Sequence, residues 1–142
     1  MVMKKTVILL ILTLMMVVSG MCYAAGDGSD LNRQQKVADK FMAVLSVDAA
    51  AVTQLQVDMV PELAEKMTAA NFAALQKQLK EQFGIQKSVR FAVYERFDQG
   101  DRLTYLVGFS RQQAVRAVYG FDKNGKLSEF VFVPLEVKAA QK

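Results

Sequence analysis

The chain has 142 residues, 52% of them hydrophobic, with 18 Lys and Arg against 14 Asp and Glu and no histidine. That length suits one domain, and the missing imidazole excludes Ser-His-Asp and Cys-His nucleophilic sites, His proton shuttles and most zinc and iron sites. The basic residues are spread singly, so the net charge of +4 reads as a mixed solvated surface and not as a nucleic-acid patch.

The chain opens like a secretory signal. Lys4 and Lys5 supply a positive end, Thr6 to Met21 form an apolar run, and Cys22-Tyr23-Ala24 place small residues at the −3 and −1 positions of a cut after Ala24. An uncleaved anchor would need about 20 apolar residues, and the run has 16. Lipid modification of Cys22 would resemble the bacterial lipobox, but that motif wants a small residue where Met21 stands. A cut after Ala24 removes the one cysteine and two lysines, leaving a charge of +2. The exported product, periplasmic or secreted, then has neither thiol chemistry nor disulfides and no membrane attachment. Residues 25–33 are expected to be a flexible mature N-terminus, 34–135 the domain, and 136–142 a tail.

Helical signals come next. Ser29 or Asp30 can cap a first helix with Val37, Phe41, Val44 and Leu45 on one face. Asp48 can cap a short second helix through Ala49-Ala50-Ala51, and Pro61 suits the first turn of another, with Leu63 and Met67 inward. Thr68 opens the clearest helix: Phe72, Leu75, Leu79 and Phe83 make its stripe and Gly84 ends it.

From Ser88 the period changes to two. Val89, Phe91, Val93 and Phe97 alternate with polar residues, and Leu103–Phe109, Ala114–Phe121 and Lys126–Val133 are three further strand-like runs. Short connections make an antiparallel meander, and Pro134 ends it. The predicted fold class is α+β, with N-terminal helices packed on a curved four-stranded antiparallel meander sheet.

Three-residue turns at Gln99–Asp101, Arg111–Gln113 and Lys123–Gly125 would put the odd-numbered, more apolar positions of all four strands on the helix side. In that register Glu95, Tyr105, Tyr119 and Glu129 form one row, two carboxylates and two phenols within an apolar face. A buried carboxylate is costly unless hydrogen-bonded. Either the hydroxyls satisfy the carboxylates, or the edge strands let them reach water, or the row lines a ligand pocket between sheet and helices. The opposite face would carry Tyr94, Leu106, Val118 and Phe130, an apolar strip that suggests a protein partner, of which a homodimer is the simplest.

Other motifs fall short. Gly108-Phe109-Ser110-Arg111-Gln112 lacks the second glycine of a nucleophile elbow, no phosphate loop is present, and Asp98 and Asp101 flank a hairpin as turn chemistry wants. Asp58 is a lone candidate base without an evident partner. No metal site and no cofactor is expected.

Ala38-Asp39-Lys40-Phe41, Leu79 to Phe83 with Gly84, Val118 to Leu127, and Phe132-Val133-Pro134 together resemble a bacterial domain of unknown function, the group numbered 3887, which belongs among the nuclear-transport-factor-2-like cone folds. The resemblance covers roughly residues 34 to 135, and implies helices on a curved antiparallel sheet. The group tends to carry glycine where this chain has Glu129, and offers no established catalytic residues. Two functions follow as expectations: an exported non-enzymatic domain that binds a small ligand or protein partner, or a His-free acid/base enzyme of isomerase type using Glu95 or Glu129 with Tyr105 or Tyr119.

Overall fold

The computed structural model describes residues 28–136. The expected leader, its cut after Ala24 and most of the expected C-terminal tail lie outside the described residues.

Each helix forms where local chemistry favours it. Helix α1 spans Gly28–Val44 and so takes in residues 28–33, which were expected to precede the domain as a flexible segment. Its Val37, Phe41 and Val44 are buried on one face. Asp48 accepts from the Ala50 N–H and caps a 3-10 turn at Ala49–Val52, which runs into α2 at Thr53–Gln56. Pro61 starts α3 at Pro61–Lys66, where its missing N–H costs nothing. The Thr68 hydroxyl accepts from the Asn71 N–H at 3.1 Å and caps α4 at Ala69–Phe83, with Phe72, Leu75, Leu79 and Phe83 buried. Gly84 closes α4 at φ +91°, and a Cβ there would meet the Ser110 hydroxyl.

Strands β1 (Gln86–Phe97), β2 (Gly100–Phe109), β3 (Val115–Asp122) and β4 (Leu127–Pro134) form an open antiparallel meander in the order β1-β2-β3-β4. This is the α+β architecture read from the sequence, with helices on one side of the sheet. Across the interface Phe41 packs on Phe72, Tyr119 and Phe130, with ring centroids 5.8, 5.4 and 4.7 Å apart. The segment Val57–Val60 is stitched beside the start of β4: the Val60 N–H donates to the Leu127 carbonyl at 2.9 Å and the Leu127 N–H donates to the Asp58 carbonyl at 2.7 Å.

The register departs from the three-turn expectation. The Lys123–Gly125 turn has its three residues, with Gly125 at φ +79° and the Asp122 N–H bonded to the Lys126 carbonyl at 2.9 Å. The first hairpin instead turns through Asp98 and Gln99 alone, pairing Phe97 with Gly100 and Glu95 with Arg102. A bulge at Ala92 then restores the original parity, so that Phe91 faces Tyr105. The second hairpin keeps parity but slips by two, setting Tyr119 opposite Leu103 in place of Tyr105. In β4, Ser128 is an extra residue between the Phe121–Leu127 and Gly120–Glu129 pairs, and its hydroxyl donates to the Gly120 carbonyl at 3.1 Å.

Candidate functional site

These one-residue changes move Glu95, Glu129, Tyr94 and Phe130 to the faces opposite those expected, while Tyr105, Tyr119, Leu106 and Val118 keep theirs. A strand alternates faces with a period of two, so one extra residue exchanges the faces of all that follow. Tyr105 and Tyr119 point to the helices and are 2% and 0% exposed. Glu95 and Glu129 lie on the other face, in a row with Arg102 and Gly120. The row of two carboxylates and two phenols is therefore not assembled: the sheet itself separates the acids from the hydroxyls. The expected partner strip divides too. Leu106 and Val118 stay on the open face, while Tyr94 and Phe130 turn inward, with Phe130 4% exposed against Phe41.

On the helix side the phenols join a packed aromatic cluster. Tyr105 and Tyr119 rings meet edge to face at 6.0 Å. The Tyr105 hydroxyl makes a long hydrogen bond of 3.4 Å to Asp39, and burial together with that carboxylate raises its pKa. The Tyr119 hydroxyl is fully buried without a hydrogen-bond partner among the described residues, and burial, with Tyr105 and Asp39 nearby, pushes its pKa well up.

A second polar centre lies at the first hairpin, where sequence reasoning saw turn chemistry alone. Asp101, 6% exposed, accepts from Gln34 at 2.9 Å, from the Tyr94 hydroxyl at 2.9 Å and from Arg96 at 3.0 Å through both Nε and Nη2. Arg96 also reaches Asp30 at 2.8 Å, so the network ties α1 to the sheet. Burial alone would raise the Asp101 pKa, but hydrogen bonds from Arg96, Gln34 and Tyr94 and the guanidinium charge hold it below the usual range. Burial and the neighbouring carboxylate push Tyr94 up to about 12. Every oxygen of Asp101 is committed, which marks a structural clamp. The sequence carried no signal for it, because Arg96 comes opposite Asp101 only through the two-residue turn. Asp58 likewise has a partner, Lys40 at 2.8 Å.

The open face of the sheet offers different chemistry. A depression of about 350 Å³ is lined by Glu95, Arg102, Thr104, Arg116, Val118, Gly120, Glu129, Val131 and Val133 among others. Thr104, Val118 and Val131 make a row across its floor. Arg102 is engaged twice, 3.6 Å from Glu95 and with its guanidinium 4.8 Å over the Phe97 ring. Glu129 lies across Gly120, where an added Cβ would sit 2.7 Å from its Cγ. Among the described residues Glu129 makes no ion pair, so a desolvated cation could take one.

Two further concavities lie beside α4. One of about 170 Å³ between α4 and β4 is apolar, with Gln78 and Gln82 at its rim. Another of about 600 Å³ beside Leu45–Val47 and α4 contains Gln76, whose amide is spent on the carbonyls of Val44, Leu45 and Val47. Among the described residues no group of three or more His, Cys, Asp or Glu could hold a metal ion, and no helix is long and apolar enough to cross a membrane. In comparisons with family models, curated proteins and solved structures, nothing matches the chain.

Proposed function

We propose that this chain is an exported, non-enzymatic binding domain that uses the open face of its sheet to hold a small amphipathic molecule with a cationic group. The observation that carries this reading is the depression on that face, with Val118 and Val131 on its floor and the Glu129 carboxylate laid across Gly120. The lining is divided evenly between apolar residues and polar ones, Glu95, Arg102, Thr104, Arg116 and Glu129, and placed polar groups beside apolar surface are the ordinary chemistry of ligand recognition. The export signal and the resemblance to domain-of-unknown-function group 3887 and its cone-like relatives belong to the same proposal. Helices followed by an antiparallel meander support that resemblance.

The test is a calorimetric titration with two probes of equal chain length, dodecyltrimethylammonium and dodecyl sulfate, below their micellar concentrations. The cationic probe is expected to bind at least about tenfold tighter, a difference of about 1.4 kcal/mol, and Glu129→Gln is expected to erase that preference. Equal affinities in the wild type, or an unchanged preference in Glu129→Gln, would refute the reading. Intact mass of the exported protein is expected to match a chain starting at Ala25.

A further inference from the structure

The two edges of the sheet are not treated alike. At β4, Leu127 is bridged to Met59 and Pro134 occupies the far end, so both ends of that edge are blunted. Strand β1 has 12 residues, pairs among the described residues with β2 alone, and is interrupted twice, at Lys87 near its start and at the Ala92 bulge near its middle. Its apolar side chains are open on both faces. Val89 and Phe91, on the helix side, are 40% and 39% exposed although their ladder partners Val107 and Tyr105 are buried. Val93 and Phe97, on the other side, are 45% and 37% exposed. A molecule resting on the open face would cover Val93 but leave Val89 and Phe91 in water. A strand laid alongside β1 shelters both sets.

We infer that the occupant of this edge is a second copy of the same chain, paired β1 to β1 antiparallel across a two-fold axis between Ala92 and Val93. In that register Arg90 stands opposite Glu95 of the second copy, and the symmetry repeats the pair. Both residues lie on the open face, since Arg90 pairs with Leu106 and Glu95 with Arg102 within the sheet. On the helix side Phe91 meets Tyr94 of the second copy. Directly opposed charges and aromatic pairs are the units that stabilise a ladder. Moving the register by two residues either way sets Arg90 against Val93 or Phe97 and loses both ion pairs, so charge selects one alignment. The bulges of the two copies meet at the axis, and the ladder runs on the flanks at Val89–Phe91 and Tyr94–Arg96. An isologous edge of this kind closes on itself and leaves no growing end at β1.

The edge shares Glu95 with the rim of the depression, but Phe91 on β1 and Glu129 on β4 lie at opposite edges of the sheet, so loss of association in Phe91→Glu and loss of the cation preference in Glu129→Gln are distinguishable failures. Sedimentation velocity on protein purified from cells expressing the full chain, over a wide concentration range, is expected to show a dimer weakened by salt. Phe91→Glu is expected to give monomer. Arg90→Glu is expected to weaken association at least about tenfold, and Arg90→Glu with Glu95→Arg to restore it to within about threefold. Val118→Glu, in the middle of the open face, is expected to leave the dimer intact. Circular dichroism identifies any variant that has lost its fold, and the charge exchange decides the matter if Phe91→Glu does not fold. A wild-type monomer throughout, failure of the exchange to restore association, or a dimer abolished by Val118→Glu and kept by Phe91→Glu would overturn the proposal.

Discussion

Glu129 stands opposite Gly120 across the β3–β4 ladder, and its Cγ lies 2.7 Å from the point where a side chain on residue 120 would begin. The glycine makes room for a carboxylate to lie flat on the sheet. Gly120→Val would displace the flexible Glu129 side chain and fill the depression. Because strand preferences span about 1 kcal/mol, stability is expected to change by no more than about that amount. Thermal melting checks the stability, and binding of the cationic amphiphile is expected to fall at least about tenfold.

Asp101 predicts a pH dependence at both ends of the scale. Its folded pKa is depressed, so its contribution is present above the ordinary Asp value and is lost as pH falls through the folded one. Tyr94 is raised to about 12, so its share is present below about pH 10 and lost as pH climbs toward 12. Asp101→Asn is expected to cost about 2–3 kcal/mol at neutral pH and to flatten the acid limb of the stability curve. Tyr94→Phe is expected to flatten the alkaline limb. Urea unfolding across the pH range measures both; an unchanged acid limb in Asp101→Asn would show that other carboxylates govern it.

The fold was legible wherever local chemistry decides it. Asp48, Pro61, Thr68 and Gly84 each mark a helix end at the residue where the structure has it, because caps act on neighbouring N–H and C=O groups. Asp122 to Lys126 announced its turn for the same reason. Register was not legible, since bulges at Ala92 and Ser128 and the short Asp98-Gln99 turn each move faces by one residue. Strand β1 gave no correction, because Val89 and Phe91 are apolar on one face and Val93 and Phe97 on the other. Strand β4 behaves alike, with Phe130 and Phe132 inward and Val131 and Val133 outward. Glu95 and Glu129 were therefore assigned to the wrong side of the sheet.

Tyr119→Phe removes a buried hydroxyl that has no partner among the described residues. Leaving such a group unpaired costs about 1–3 kcal/mol, so the variant is expected to melt at a higher temperature. A lower melting temperature would mean that the hydroxyl is satisfied.

Gln76 reaches from α4 to the last carbonyls of α1 and the following turn, at 3.1, 3.3 and 2.6 Å from Val44, Leu45 and Val47. No basic residue occupies the last turn of α1, so this amide supplies the donors that the helix end needs. Gln76→Ala is expected to cost about 1–2 kcal/mol in chemical denaturation. Hydrogen exchange is expected to speed up at the loop after Val44 while the strands stay protected.

The central claim, that the open sheet face is the binding face, is tested most directly by mapping amide chemical shifts during titration with dodecyltrimethylammonium. Shifts concentrated at Arg102, Thr104, Val118, Gly120, Glu129 and Val131 are the expected result. Shifts confined to Leu75, Leu79, Phe83 and the α4–β4 groove, with the open face silent, would contradict it.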